Sequence, residues 1–64
     1  MTPEEFTIEY YEEHSKRFRA MNVTCDNPEY ADVEAMKQGA KISKVYKVYR
    51  KDDKTKTSLW RTKP

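Results

Sequence analysis

The sequence predicts an α+β fold, a small two-layer domain in which two N-terminal helices precede a C-terminal antiparallel β-hairpin. Two helix-start signals support this prediction, together with a change in the spacing of apolar residues in the C-terminal third of the chain. Thr2-Pro3 and Asn27-Pro28 each precede residues with helical spacing, whereas β-forming residues dominate from Ile42 onward. At 64 residues the chain has the length of a single domain, 1–64.

The first predicted helix runs from about residue 3 to residue 20. Thr2 and Glu5 form a Thr-x-x-Glu capping box around Pro3. At about 100° per residue, one arc of this helix collects most of the apolar side chains and leaves Ile8 outside. The members of the arc are Phe6, Tyr10, Met21, His14, Thr7, Phe18 and Tyr11.

The second predicted helix runs from about residue 28 to residue 38, after the capping residue Asn27. The stripe that we expect it to bury consists of Tyr30, Val33 and Met36, backed by Ala31 and Ala35. Gly39, the only glycine, follows where a positive φ angle commonly ends a helix. Between the helices, residues 23–25 favour β-structure and could form a short third strand.

The hairpin is predicted over about residues 42–61 and is followed by a short C-terminal tail. A turn centred on Asp52-Asp53 would place Tyr46 opposite Leu59. The hairpin face that we expect to meet the helices carries Ile42, Tyr46, Val48 and Leu59. The other face carries Val45, Tyr49 and Trp60 among lysines.

Charge is divided unevenly along the chain, although the formal net charge is only +2. Residues 1–40 carry nine acidic and four basic side chains, whereas residues 41–64 carry nine basic and two acidic ones. A basic segment interleaved with aromatic rings favours nucleic acid, because cations bind phosphates and rings stack on bases. The predicted contact residues are Lys44, Lys47, Tyr49, Arg50, Lys51, Lys54, Lys56, Trp60 and Arg61.

Two alternatives compete with this nucleic-acid interpretation. The same hairpin, or the acidic first helix, could bind a protein, as in a small regulator or inhibitor that acts on a larger cytoplasmic complex and is encoded by a phage or mobile element. The lysines could also serve only to protect strand edges from aggregation. A core as thin as this length allows also leaves a homodimer open.

Catalysis is not expected from this composition. Cys25 and His14 are the only cysteine and the only histidine, and their spacing matches no cysteine-enzyme signature. One glycine cannot build a glycine-rich phosphate loop. We therefore expect a non-enzymatic binding module without cofactor, metal or small-molecule substrate, in which His14 lies at the core edge and Cys25 is a small apolar filler.

The predicted location is the cytoplasm, without membrane contact. No apolar run approaches the roughly 18 residues that span a bilayer. The N-terminal residues MTPEEF lack the basic and apolar regions of a signal peptide, and a lone cysteine suits a reducing compartment.

Overall fold

The computed structural model describes residues 3–60, which form a three-stranded antiparallel sheet and one short helix. The strands lie in the order β2-β1-β3 and are β1 (Glu4–Glu12), β2 (Arg17–Cys25) and β3 (Lys44–Arg50). Between β2 and β3, a 3₁₀ turn at Pro28–Tyr30 leads into helix α1 (Ala31–Lys37). The radius of gyration is 11.1 Å, close to the value of about 11 Å for a compact chain of this length.

The predicted first helix is wrong, because β1 and β2 form an antiparallel hairpin in its place. Burial along β1 has a period of two, with Phe6, Ile8 and Tyr10 buried and the residues between them half-buried. Ile8, which lies outside the apolar arc of the predicted helix, is fully buried. Thr2, part of the predicted capping box, lies outside the described residues. The aromatic and β-branched side chains of both segments favour strands, and pairing the two segments buries one continuous apolar row.

The turn between β1 and β2 is held by a network around Glu12. Its carboxylate accepts hydrogen bonds from the Ser15 hydroxyl at 2.5 Å and from Arg19 Nε at 2.8 Å. The Ser15 hydroxyl and the Arg19 guanidinium hold the pKa of Glu12 below its ordinary value. Because these groups lie within eight residues of one another, the network closes the hairpin locally.

A helix occupies most of the second predicted segment, but it buries a different face. Ala31 and Ala35 are fully buried against the sheet, and small side chains let the helix backbone approach closely. The three larger residues of the predicted stripe are instead exposed: Tyr30, Val33 and Met36. The predicted apolar stripe of this helix is therefore wrong.

The ends of the helical segment follow the local signals. The Asn27 side chain accepts a hydrogen bond from the Glu29 N–H at 3.0 Å. Gly39 has a φ of 97°, as expected for the residue that ends a helix. The N–H groups of Gly39 and Ala40 donate to the carbonyls of Met36 and Ala35, which is the Schellman arrangement.

The predicted C-terminal hairpin is also wrong. Strand β3 pairs with β1, and residues 55–60 form no strand. One backbone hydrogen bond links this segment to β3, from the Leu59 N–H to the Val48 carbonyl at 2.6 Å. Asp53 accepts hydrogen bonds from Thr55 and so supports a longer, irregular connection than a tight hairpin turn. Pairing with the central strand also places Val48 in the shared core, where it is fully buried.

Candidate functional site

The sheet has an inner face that meets helix α1 and an opposite, outer face. Side chains alternate between the two faces along a strand. Because Phe6, Ile8 and Tyr10 point into the core, Thr7 and the other odd-numbered residues of β1 point to the outer face. Residues paired with them across β2 and β3 share that face.

Much of the outer face consists of polar groups that bond to one another. Three hydrogen bonds link β1 to its neighbours: Thr7 hydroxyl to Asn22 Oδ1 at 2.8 Å, Tyr49 hydroxyl to Glu9 Oε2 at 2.9 Å, and Nζ of Lys51, the residue after β3, to Glu5 Oε2 at 3.2 Å. Each of these groups thus has at least one partner within the chain, and Lys51 and Glu5 remain exposed to solvent.

The end of the outer face nearest the β1–β2 turn carries three aromatic rings, called here the aromatic cluster: Tyr11, Phe18 and Tyr46. The rings of Tyr11 and Phe18 meet edge-on with centroids 5.1 Å apart, and the centroids of Phe18 and Tyr46 lie 5.2 Å apart. Phe18 is 69% exposed and Tyr46 is 46% exposed. Large apolar rings that remain open to solvent side by side are typical of a binding surface.

A β-bulge brings Tyr46 into this cluster. Lys47 pairs with Glu9 and Val45 pairs with Tyr10, so two steps along β3 match one step along β1. Tyr46 is the extra residue, and the bulge turns its side chain to the outer face beside that of Lys47. In a regular strand, Tyr46 and Lys47 would point to opposite faces.

Two lysines of β3 lie beside the aromatic cluster. Lys44 Nζ lies 5.3 Å from the centroid of the Tyr46 ring, within the range of a cation–π interaction. Lys47 lines a shallow cavity of about 560 Å³ together with Phe18 and Tyr46. Within residues 3–60, neither lysine forms an ion pair with a carboxylate. The lining of that cavity also includes Glu9 and Arg19.

The two aromatic residues that the sequence assigns to base stacking are placed differently from this cluster. Tyr49 is only 7% exposed, and its hydroxyl donates to Glu9, which raises the pKa of Tyr49 above its ordinary value. Trp60 is half-buried and packs against the core. Neither ring presents an open face comparable to that of Phe18.

The cations assigned to phosphate binding do not form one group. Lys44 and Lys47 lie beside the aromatic cluster, whereas Arg50 and Lys51 form ion pairs with the carboxylates at the start of β1. These pairs join Arg50 to Glu4 at 2.7 Å and Lys51 to Glu5 at 3.2 Å. Lys54 and Lys56 are exposed in the connection after β3, and Arg61 lies outside the described residues.

The site residues predicted from the sequence do not include the members of the aromatic cluster. The sequence predicts Tyr11 and Phe18 on the apolar face of a helix, and Tyr46 on the buried face of a hairpin. The alternation of Phe6, Ile8 and Tyr10 could have placed Tyr11 on an opposite face. No local signal in the sequence marks the bulge that redirects Tyr46.

His14 and Cys25 lie at opposite ends of the β1–β2 hairpin. His14 is exposed in the turn, with Nε2 3.9 Å from Glu12, and so does not lie at a core edge. Cys25 is buried, its thiol donates to the Asn27 carbonyl, and burial raises its pKa. Over residues 3–60, no group of three His, Cys, Asp or Glu side chains is positioned to hold a metal ion.

Within residues 3–60, no helix combines the length and the apolar character needed to span a bilayer. Comparison of the chain with models of protein families, with curated proteins and with solved structures found no match.

Proposed function

We propose that this protein is a non-enzymatic binding module that holds single-stranded nucleic acid on the outer face of its sheet. The observation that carries the proposal is the aromatic cluster with its two lysines. Phe18 and Tyr46 offer open rings to bases, and Lys44 and Lys47 offer cations to the phosphates. This assignment replaces Tyr49 and Trp60 as the stacking residues.

The chemistry of a single strand fits this surface better than that of a duplex. Every base has a π-face that can stack on an aromatic side chain, whereas a duplex hides these faces within its own stack. The rings lie on a broad sheet face, the kind of platform on which successive unstacked bases can be received. Lys44 and Lys47 both lie at one side of the rings, where they can bind the phosphates of a nucleic-acid strand that runs along that edge of the sheet.

Fluorescence anisotropy with a labelled pyrimidine oligonucleotide of about ten nucleotides tests the proposal. Stacking contributes about 1–3 kcal/mol per base, so Phe18→Ala and Tyr46→Ala are each expected to weaken binding about 5- to 150-fold. Replacing Lys44 and Lys47 with glutamine removes two phosphate contacts. The slope of log K against log salt should then become shallower by about 1.4.

Matched controls come from residues of the same types elsewhere on the surface. Tyr30 is an exposed tyrosine in the 3₁₀ turn before helix α1, so Tyr30→Ala is expected to leave affinity unchanged. Lys54 and Lys56 are exposed lysines outside the outer-face cluster, so their double glutamine variant should keep the salt slope. Undetectable binding at low salt, or equal losses in the control variants, would contradict the proposal.

A protein-binding regulator is the second candidate function, and one observation favours it. Tyr30, Val33 and Met36 leave an exposed apolar stripe along the helical segment. Exposed aromatic and methionine side chains are enriched at protein interfaces. This candidate would be favoured over the first if the wild-type chain bound no oligonucleotide but bound a protein partner, and if Val33→Asp abolished that protein binding.

A further inference from the structure

Strand β2 forms an open edge of the sheet. It pairs with β1 on one side, and among residues 3–60 no backbone segment pairs with its other side. The opposite edge differs, because the Leu59 N–H already bonds to the Val48 carbonyl there. The nine residues of β2 contain no proline, their register with β1 is unbroken, and their only charged side chains are Arg17 and Arg19 near the start of the strand. A long edge without proline or a bulge can serve as a template for another strand.

The backbone groups that face outward on β2 can be assigned from the register. The carbonyls of Glu5 and Tyr11 accept hydrogen bonds from the segments on the β3 side, so the odd-numbered residues of β1 bond toward β3. Consecutive residues of a strand bond to alternate sides. The even-numbered residues of β1 therefore bond toward β2, where they pair with odd-numbered residues. The outward-facing groups are then those of Phe18, Ala20, Asn22 and Thr24.

A second copy of the same strand can satisfy these groups in an antiparallel pair centred on Met21. The residues that would exchange backbone hydrogen bonds are Ala20 with Asn22 and Phe18 with Thr24. The pairs between them are Arg19 with Val23 and Arg17 with Cys25. No arginine therefore faces another arginine, and all outward-facing groups of the strand find partners.

Charges beside the strand favour this antiparallel arrangement. Lys16 lies in the turn just before β2 and Arg17 begins the strand, whereas Asp26 and Glu29 follow its end. In the pair centred on Met21, the turn residue Lys16, whose φ is 54°, precedes the first paired residue of one copy, and Asp26 follows the last paired residue of the other. Opposite charges are thus brought near each other at both ends of the pair, because a two-fold axis repeats every contact.

We propose that this protein forms a symmetric dimer in which β2 of one copy pairs antiparallel with β2 of a second copy. The two sheets become continuous, and helix α1 of each copy lies on the same side. Both outer faces then form one surface that carries two aromatic clusters. The proposal rests on the edge and its charges and does not require that nucleic acid binds.

Sedimentation equilibrium of the wild-type chain and two variants of Ala20 tests the dimer. Ala20→Pro removes an outward N–H that β1 does not use, and proline is tolerated at such edge positions. We expect a dimer for the wild type, a monomer with an unchanged circular dichroism spectrum for Ala20→Pro, and a dimer for Ala20→Val, which keeps the N–H. A folded Ala20→Pro variant that still dimerises would overturn the proposal.

Charge exchange at the ends of the strand tests the register without proline. Lys16→Glu and Asp26→Lys should each weaken dimerisation by about 2- to 30-fold, the range for two exposed ion pairs. The double variant restores opposite charges and should return the dissociation constant to near that of the wild type. Additive losses in the double variant would overturn this register. A wild-type chain that remains monomeric at about 1 mM would overturn the dimer and leave the edge to a strand of another protein.

Discussion

The same substitution at two valines tests which residues form the core. Val48 on β3 is fully buried, whereas Val33 on α1 is 45% exposed although its helical spacing predicts it in a buried stripe. Valine and threonine have nearly the same shape, so the change replaces a methyl group by a hydroxyl. The effect on stability therefore reports how apolar the surroundings are.

The expected magnitudes differ clearly between the two sites. A buried hydroxyl without a hydrogen-bond partner costs about 1–3 kcal/mol. For a domain of this size, 1 kcal/mol lowers Tm by roughly 4–8 °C, so Val48→Thr should lower Tm by about 4–24 °C. Val33→Thr should change the free energy of unfolding by less than about 0.5 kcal/mol, because solvent can hydrate the new hydroxyl.

Thermal and urea unfolding measure both variants. Trp60 is the only tryptophan and packs against the core, so its fluorescence follows loss of the tertiary structure, and circular dichroism follows the sheet. All chains should be compared at one concentration, because self-association stabilises the folded state by mass action. Equal decreases in the free energy of unfolding for Val48→Thr and Val33→Thr, or a larger decrease for Val33→Thr, would refute the placement of Val48 in the core and of Val33 outside it.

Two further predictions concern the Glu12 network and the end of the helix. Glu12→Gln should lower stability at neutral pH, because Ser15 and Arg19 lose a carboxylate partner. These groups lower the pKa of Glu12 in the folded state. The difference in the free energy of unfolding between wild type and variant should therefore be largest above the ordinary glutamate pKa and should vanish as pH falls through the folded pKa. Stability curves that stay parallel from about pH 7 to pH 2 would contradict this. Gly39→Ala should cost about 1–2 kcal/mol in urea unfolding because φ is 97°, although nothing lies within 4 Å of an added Cβ; an unchanged midpoint would show that the backbone relaxes.

Part of the candidate site could be predicted from the sequence. The concentration of cations in the last third of the chain and their mixture with aromatic rings are visible directly, and Lys44 and Lys47 remain in the candidate site. The partners of Arg50 and Lys51 were not predictable, because Glu4 and Glu5 lie 46 residues away in the chain. Tyr46 joins the site only because β3 contains a bulge against β1.

What the sequence by itself determined is mostly local. The cap at Asn27, the helix that follows it and the positive φ of Gly39 each depend on a few neighbouring residues, and the β-forming residues 44–50 do form a strand. These features follow from local backbone preferences and short hydrogen bonds, which the order of residues specifies directly.

The tertiary structure decided the rest. Residues 4–12 fit both a helical arc and a two-residue alternation, and local preference alone does not separate them strongly. Pairing with β2 on one side and β3 on the other makes the strand the better choice, because it buries Phe6 and Ile8 in a common core and satisfies the backbone across the sheet. β3 likewise pairs with β1 and not with residues 55–60, because contacts between residues that are distant in the sequence determine which strand it joins.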